Sequence, residues 1–206
     1  MTDYFALLGE PRRPWLEVNA LKLKFQSMGA ANHPDRFHEA GEMERRAAEA
    51  RFAGLNSAMR CLSDTKERLQ HLLALEGRVT GSCIQSVPPE LGGVFVEVGE
   101  ALRHSEVVLR EKSAASSPLL KVQSMQRALD CTEHLRALQT KVASLRDAAE
   151  AGLAALNPAW DEAPRGLPDE RNKSQALDAV ERIHRVLSFA GRWSAQLQGR
   201  MVELTL

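Results

Sequence analysis

Apolar residues recur along most of this chain at intervals of three and four, which is the period of an amphipathic α-helix. In the first 77 residues the pattern predicts four helical segments, over 3–9, 16–32, 42–62 and 64–75. The second segment runs into a proline. Because proline cannot continue a helix, the residues around it are expected to form a loop.

Three longer helical segments are predicted after the first 77 residues, over 90–112, 117–156 and 170–204. Residues 157–168 separate the last two, since they contain three prolines and a glycine. The apolar stripe of the last segment comprises Ile183, Leu187, Ala190, Ser194, Leu197, Met201 and Leu204. That of the middle segment comprises Leu135, Leu138, Val142, Leu145 and Ala149. Stripes of this kind bury one another, so a three-helix bundle is predicted.

The segment between the two groups of helices, 78–89, is rich in glycine, serine, threonine and proline. This composition is typical of a connector. The sequence therefore predicts an all-α protein with an N-terminal domain over 1–77 and a C-terminal helical domain over 90–206. The local sequence of residues 92–99 argues against a helix, since their valines favour a strand and their glycines disfavour a helix. A lone strand would have no partner, and a helix is expected there.

Composition limits the possible functions. The 206 residues are 44% hydrophobic and 5% aromatic, which suits packed helices, and 27 basic residues balance 27 acidic ones. Without a basic excess, nucleic acid is not an expected partner. There is neither an apolar run of membrane-spanning length nor a signal-like segment ahead of the first helix, so we expect a cytoplasmic protein without a membrane role.

Cysteine and histidine give little support for chemistry. Cys61, Cys83 and Cys131 are widely spaced and odd in number, so reduced thiols are expected, with neither a disulfide framework nor a metal site. No nucleophile or phosphate-binding motif is present. The histidines outside the loop are dispersed along the chain: His38, His71, His104, His134 and His184. We expect neither an enzyme nor a bound cofactor.

The loop itself is the main candidate site. In His33-Pro34-Asp35, proline fixes its own backbone and restricts the preceding residue, so two polar side chains are held with little freedom to lose on binding. The same tripeptide also fits an ordinary turn in which Asp35 caps the next helix. The surrounding residues decide between these alternatives.

Those surroundings resemble a J domain, and within J proteins they are similar to the HscB family. The resemblance lies in Asp-Tyr-Phe-x-Leu-x-Gly at 3–9, Ala-Leu-Lys-Leu-Lys-Phe-Gln at 20–26, His-Pro-Asp-Arg-Phe at 33–37 and Leu-Asn-x-Ala at 55–58. It implies a helical hairpin flanking the loop and a C-terminal three-helix bundle. It also implies a co-chaperone that stimulates a DnaK- or HscA-type ATPase and delivers an IscU-type iron–sulfur scaffold.

The resemblance further implies which residues face the chaperone. Asp35 would pair with an arginine of the ATPase, Pro34 would fix the loop and His33 would pack at the junction. The remaining candidates are basic: Arg36, Lys22 and Lys24. J domains usually carry more positive charge just before the loop, whereas residues 26–32 here have none. This departure predicts a weaker or more narrowly matched chaperone contact.

The client-binding candidates, also implied by the resemblance, lie at the start of the first bundle helix. They are Phe95, Val96, Gly99, Glu100 and Arg103. Gly99 stands where the family has a large apolar residue, and Arg103 where an acid is common. The alternative is that Phe95 and Val98 are simply core residues. A second overall interpretation also stays open: the chain is a helical interaction or assembly protein that does not stimulate an ATPase. If the protein is a co-chaperone, we expect it to be a monomer.

Overall fold

The computed structural model describes residues 1–37, 41–78, 87–160 and 170–206. The described residues form α-helices and short 3-10 helices, with no strand among them. The helices are α1 (Tyr4–Leu7), α2 (Val18–Ala31), α3 (Glu42–Ser63), α4 (Thr65–Leu75), α5 (Gly92–Ala114), α6 (Pro118–Ala151) and α7 (Glu170–Thr205). The 3-10 helices are Pro34–Phe37, Pro89–Leu91 and Ala154–Ala159. The predicted all-α class is confirmed.

The predicted helices agree with these bounds except at the end of the middle segment, and the helix expected over 92–99 is confirmed. Residues 92–99 are helical despite their strand propensity, because Val94 and Val98 are buried in the bundle core and burial outweighs local preference. The middle segment was predicted to reach residue 156, but α6 ends at Ala151. Gly152 follows the helix end, and the next residue, Leu153, is buried.

Contacts divide the chain into two compact units that do not follow sequence order. Unit 1 contains Met1–Gly81 and Gly152–His184, and unit 2 contains Ser82–Ala151 and Arg185–Leu206. The boundary in the C-terminal half therefore falls inside α7. The division into 1–77, 78–89 and 90–206 remains a prediction, and most of its connector, 79–86, lies outside the described residues together with Cys83.

Unit 1 is a helical hairpin of α2 and α3 packed with α1 and α4. Its core consists of Phe5, Leu8, Leu16, Leu21, Leu55, Ala58, Leu62 and Leu72. The side-chain carboxylate of Asp3 caps α1 by accepting hydrogen bonds from the N–H groups of Phe5 (3.0 Å) and Ala6 (3.2 Å). Gly9 closes the turn after α1 with a φ of +63°, a conformation that favours glycine. These contacts explain the glycine and the aspartate of the N-terminal motif.

Residues from the C-terminal half complete unit 1. The amide of Asn157 accepts a hydrogen bond from the backbone N–H of Trp15 and donates one to its carbonyl, both at 3.0 Å. The carboxylate of Glu76 accepts from the indole of Trp160 at 3.3 Å and pairs with the ammonium of Lys173 at 2.9 Å. Polar contacts thus join segments that lie far apart in the sequence.

A buried arginine stabilises the same unit. The guanidinium of Arg68 donates to the carbonyls of Pro14 (2.9 Å) and Leu62 (2.7 Å). A buried cation is costly unless its hydrogen bonds are made, and here the two carbonyls receive them. Arg68 therefore links the loop before α2 to the last turn of α3.

Unit 2 is the predicted three-helix bundle of α5, α6 and the second part of α7. Its core includes Val98, Leu135, Val142, Ala190, Leu197 and Leu204. In the predicted α7 stripe Ile183 and Ser194 are only half-buried, whereas Trp193, one residue off that stripe, is buried. The helices α5 and α6 run antiparallel, with ion pairs between Glu97 and Lys141 and between Glu111 and Arg127, each at 2.7 Å.

Two further findings concern the predictions from composition. In the described parts of the chain, no helix combines the length and the apolar character needed to cross a membrane. The thiols of Cys61 and Cys131 are free. Burial is the main reason that the pKa of Cys61 is raised to about 11, with nearby Glu67 and Asp64 adding to the shift.

Candidate functional site

The His-Pro-Asp loop begins where α2 ends. Asn32 closes that helix, because its side-chain amide donates to the carbonyl of Met28 at 2.8 Å and its backbone N–H bonds the carbonyls of Met28 and Gly29. The next residue, His33, leads into the short 3-10 helix Pro34–Phe37. The loop thus starts from a helix end at which Asn32 satisfies the carbonyls of Met28 and Gly29.

His33 and Asp35 share a small contact cluster on the surface. The ring of His33 meets that of Phe52 on α3 edge-on, at 5.2 Å between centroids. Its Nδ1 lies 3.4 Å from the Asp35 carboxylate and 3.3 Å from the Asp35 backbone nitrogen. An unprotonated Nδ1 accepts from the backbone N–H, whereas a protonated one pairs with the carboxylate. The side chains are 47% and 88% exposed, so the carboxylate is accessible to a partner.

Arg36 fastens the other side of the loop to α2. Its backbone N–H donates to the carbonyl of His33 at 3.0 Å, and its guanidinium approaches the carbonyl of Ala30 at 3.4 Å. A cation at this position also interacts favourably with the negative end of the α2 dipole. His33, Asp35 and Arg36 are therefore brought together, as the sequence predicts.

The two lysines of α2 are in different environments. The ammonium of Lys24 lies 2.5 Å from the carboxylate of Glu10 and 3.2 Å from the carbonyl of Gly9, so it helps to hold the segment after α1. Lys22 is exposed, and the adjacent Leu23 is 68% exposed. Only Lys22 of this pair presents its charge without an ion pair in the described part of the chain.

A histidine beneath the hairpin ties α4 to α1. The Nε2 of His71 accepts a hydrogen bond from the backbone N–H of Tyr4 at 3.1 Å, and its ring stacks on those of Tyr4 and Phe5. Burial lowers the pKa of His71, which keeps Nε2 unprotonated and able to accept. Burial opposes ionisation of Asp3, but hydrogen bonds from Arg12 and two N–H groups outweigh it and lower the pKa of that carboxyl.

The client-binding candidates lie on the first turns of α5. Phe95 and Val96 are 50% and 52% exposed, whereas Val98 is buried. The alternative that Phe95 and Val98 are core residues is therefore confirmed for Val98 and wrong for Phe95. Gly99 is half-buried, and the guanidinium of Arg103 lies 3.6 Å from the position that a side chain on Gly99 would occupy. Glu100 and Arg103 are exposed.

Sequence reasoning missed the aromatic residues behind this surface. The ring of Trp193 lies 6.5 Å from that of Phe95 and 5.5 Å from that of Phe189. The guanidinium of Arg192 stacks 4.4 Å above Phe189. Counting by four from Phe189 through Trp193 to Leu197 would have identified this edge of α7. Trp193 supports the exposed Phe95 ring from the core.

Comparisons with known proteins address the whole chain. No protein-family model matches it. Among solved structures, the chaperone HscB from Vibrio cholerae superposes with a TM-score of 0.61 and 25% identity, covering 98% of this chain and 99% of that one. The human co-chaperone HscB gives a TM-score of 0.47 and 16% identity over 95% of this chain and 82% of that one. On the strength of the first match and of the helical hairpin and bundle described above, the protein has an HscB-like fold.

Proposed function

We propose that this protein is a J-type co-chaperone of iron–sulfur cluster assembly. In this proposal the His-Pro-Asp loop stimulates ATP hydrolysis by a DnaK- or HscA-type chaperone, and the bundle presents an IscU-type scaffold as client. The observation that carries the proposal is the exposed His33–Asp35 pair, held between α2 and α3 on an HscB-like fold.

The proposed mechanism is allosteric. The chain supplies no chemical group to ATP. Instead, it binds more tightly to the chaperone conformation that is competent for hydrolysis, and this difference in affinity shifts the conformational equilibrium. The carboxylate of Asp35 is the group that meets a cation of the ATPase, while Arg36 and the contact of His33 with Phe52 hold the loop in place. A loop held in this way loses little entropy on binding.

Charge contributes less to this contact than in most J domains. Lys22 offers an exposed positive charge on α2, but Lys24 is already paired with Glu10. Since complementary charge mainly accelerates encounter, we expect slow association with an acidic chaperone surface and a shallow dependence on salt.

The proposed client surface combines an apolar centre with a charged edge. Phe95 and Val96 are half-exposed, and Phe95 rests on the ring of Trp193. Exposed Glu100 and Arg103 lie further along α5. An aromatic anchor with polar neighbours is the usual composition of a binding hot spot.

A single-turnover ATPase assay tests the proposal. The full chain should accelerate hydrolysis by its cognate DnaK-type chaperone, and both His33→Gln and Asp35→Asn should remove the acceleration, because each deletes a polar contact with little change in volume. Far-ultraviolet circular dichroism should stay unchanged, since both side chains are exposed. Asp147→Asn, which neutralises an exposed carboxylate in unit 2, is the matched control and should stimulate like the parent. Full stimulation by both loop variants would refute the co-chaperone proposal.

One observation favours the second candidate, an assembly protein without ATPase stimulation. An outward stripe on α6 is apolar and 53% to 69% exposed at Leu119, Val122, Met125 and Leu129. If this stripe joins two copies of the chain, sedimentation should show a mass that rises with concentration. A constant monomer mass would refute the assembly-protein alternative.

A further inference from the structure

A groove runs along the surface of unit 2 between α5 and α6. Its cavity of about 530 Å³ is within the usual size of ligand sites. Val108 and Cys131 line it and are buried, whereas His104 and His134 line it and are exposed. Neither the loop nor the Phe95 surface includes any of these residues.

The register of the two helices places the histidines opposite each other. The pairs Glu97–Lys141 and Glu111–Arg127 fix the antiparallel alignment at two points. Residue 104 lies midway between 97 and 111, and residue 134 lies midway between 127 and 141. Seven residues are close to two helical turns, so each histidine points in nearly the same direction as the ion-pair residues on its own helix. His104 and His134 therefore lie at the same level on the two helices, and both line the groove.

We infer that His104 and His134 form a binding site for a divalent late first-row transition-metal ion, with one imidazole nitrogen supplied by each helix. Neutral imidazole suits Zn²⁺, Cu²⁺ and Ni²⁺, whereas Mg²⁺ and Ca²⁺ prefer oxygen ligands. Val108 and Cys131 belong to one packed core, which holds the spacing of the two helices beside the histidines, so little reorganisation is needed on binding. The inference does not depend on the proposed co-chaperone function.

The thiol of Cys131 is not assigned as a ligand. It is buried in the groove floor, and burial raises its pKa, which disfavours the thiolate that would bind metal. Among the residues that the structure describes, no group of three or more histidine, cysteine, aspartate or glutamate side chains could hold a metal. The site is therefore a two-histidine site, and water or a side chain of a bound protein would complete the coordination.

Calorimetric titration of the full chain with Zn²⁺ tests the inference. We expect one ion per chain, and an affinity that falls at least about tenfold in His104→Gln and equally in His134→Gln, since ligand loss should cost no less than loss of an outer-shell partner. The double variant should bind no more weakly than either single variant, because the chelate is already lost in each. Both side chains are exposed, so the variants should melt like the parent in the absence of metal.

Two control variants test whether Zn²⁺ binds in the groove rather than elsewhere on the chain. His33→Gln removes an exposed histidine that lies beside the Asp35 carboxylate, and Cys131→Ser removes the thiol; both should keep the parent affinity. The inference is overturned if the parent does not bind Zn²⁺, or if either control loses the binding. Independent losses at His104 and His134 that add in the double variant would equally overturn it, since they indicate two separate surface ligands.

Discussion

The double variant Phe95→Ala with Val96→Ala, at the start of α5, tests whether these side chains bind the client or stabilise the fold. Both side chains are half-exposed, at 50% and 52%. Half of the usual burial energy is about 1 kcal/mol for phenylalanine and somewhat less for valine. The contact of Phe95 with Trp193 adds about 0.5 kcal/mol. The expected loss in the free energy of unfolding is therefore about 2 kcal/mol.

The same double variant should weaken binding of the client strongly while the protein stays folded. Truncating an aromatic anchor at the centre of an interface typically costs about 2 kcal/mol or more, which is roughly thirtyfold in affinity. The stability loss lowers the melting temperature by about 4 to 8 °C. At 25 °C the variant should therefore stay folded, and weaker binding could not be attributed to unfolding.

The assay is calorimetric titration against an IscU-type scaffold beside a thermal melt. The matched control is Val122→Ala with Met125→Ala, two exposed apolar residues on α6 near the opposite end of the bundle, where Glu111 pairs with Arg127. This control should bind like the parent. An equal affinity loss in both double variants would refute a specific client surface at Phe95. A stability loss above about 4 kcal/mol would instead place Phe95 in the core, since truncating a fully buried phenylalanine costs about 3 to 5 kcal/mol by itself.

Three further predictions concern unit 1. Ala30→Arg with Ala31→Lys adds the charge that α2 lacks before the loop, so it should raise the association rate with the chaperone, measured by stopped flow, and the gain should shrink as salt increases. His71 has a pKa below its ordinary value of 6.5 because of burial, so the unfolded chain binds a proton at a higher pH than the native one. The free energy of unfolding should therefore fall as pH drops below about 6.5, with a smaller fall in His71→Gln, as measured by urea titrations at pH 7.5 and 5.5. Arg68→Leu leaves the buried carbonyls of Pro14 and Leu62 without their donor, so it should lower the free energy of unfolding by about 2 to 5 kcal/mol in urea; an unchanged midpoint would refute the structural role of Arg68.

Periodicity predicted the helices because each helix records its buried face in its own sequence. The stripe of α7 needs no knowledge of its neighbours, and Leu187, Leu197 and Leu204 are buried as expected. The motif around the loop likewise located His33, Asp35 and Arg36 within one short segment. Features encoded over a few turns of chain were therefore accessible to sequence reasoning.

Features that depend on contacts between distant segments could not be predicted from the sequence. Asn157 bonds the backbone of Trp15, and nothing in the proline-rich sequence around Asn157 indicates that partner. The sequence alone shows His104 and His134 as single histidines on separate helices, because their proximity depends on the register of α5 against α6. The Glu97–Lys141 and Glu111–Arg127 pairs mark that register, and their members are themselves far apart in sequence.

The distribution of polar groups separates residues that hold the fold from those that can bind partners. Arg68 and His71 are buried and satisfied by backbone groups, so replacing either perturbs unit 1 itself. Asp35 and Lys22 are exposed, and they contribute little to the core. Natural variation at Asp35 should therefore alter chaperone stimulation before stability, whereas variation at Arg68 should reduce stability first and activity only through loss of folded protein. Measuring stimulation per folded molecule for one variant of each class distinguishes the two effects, because only an Asp35 variant should remain inactive after that correction.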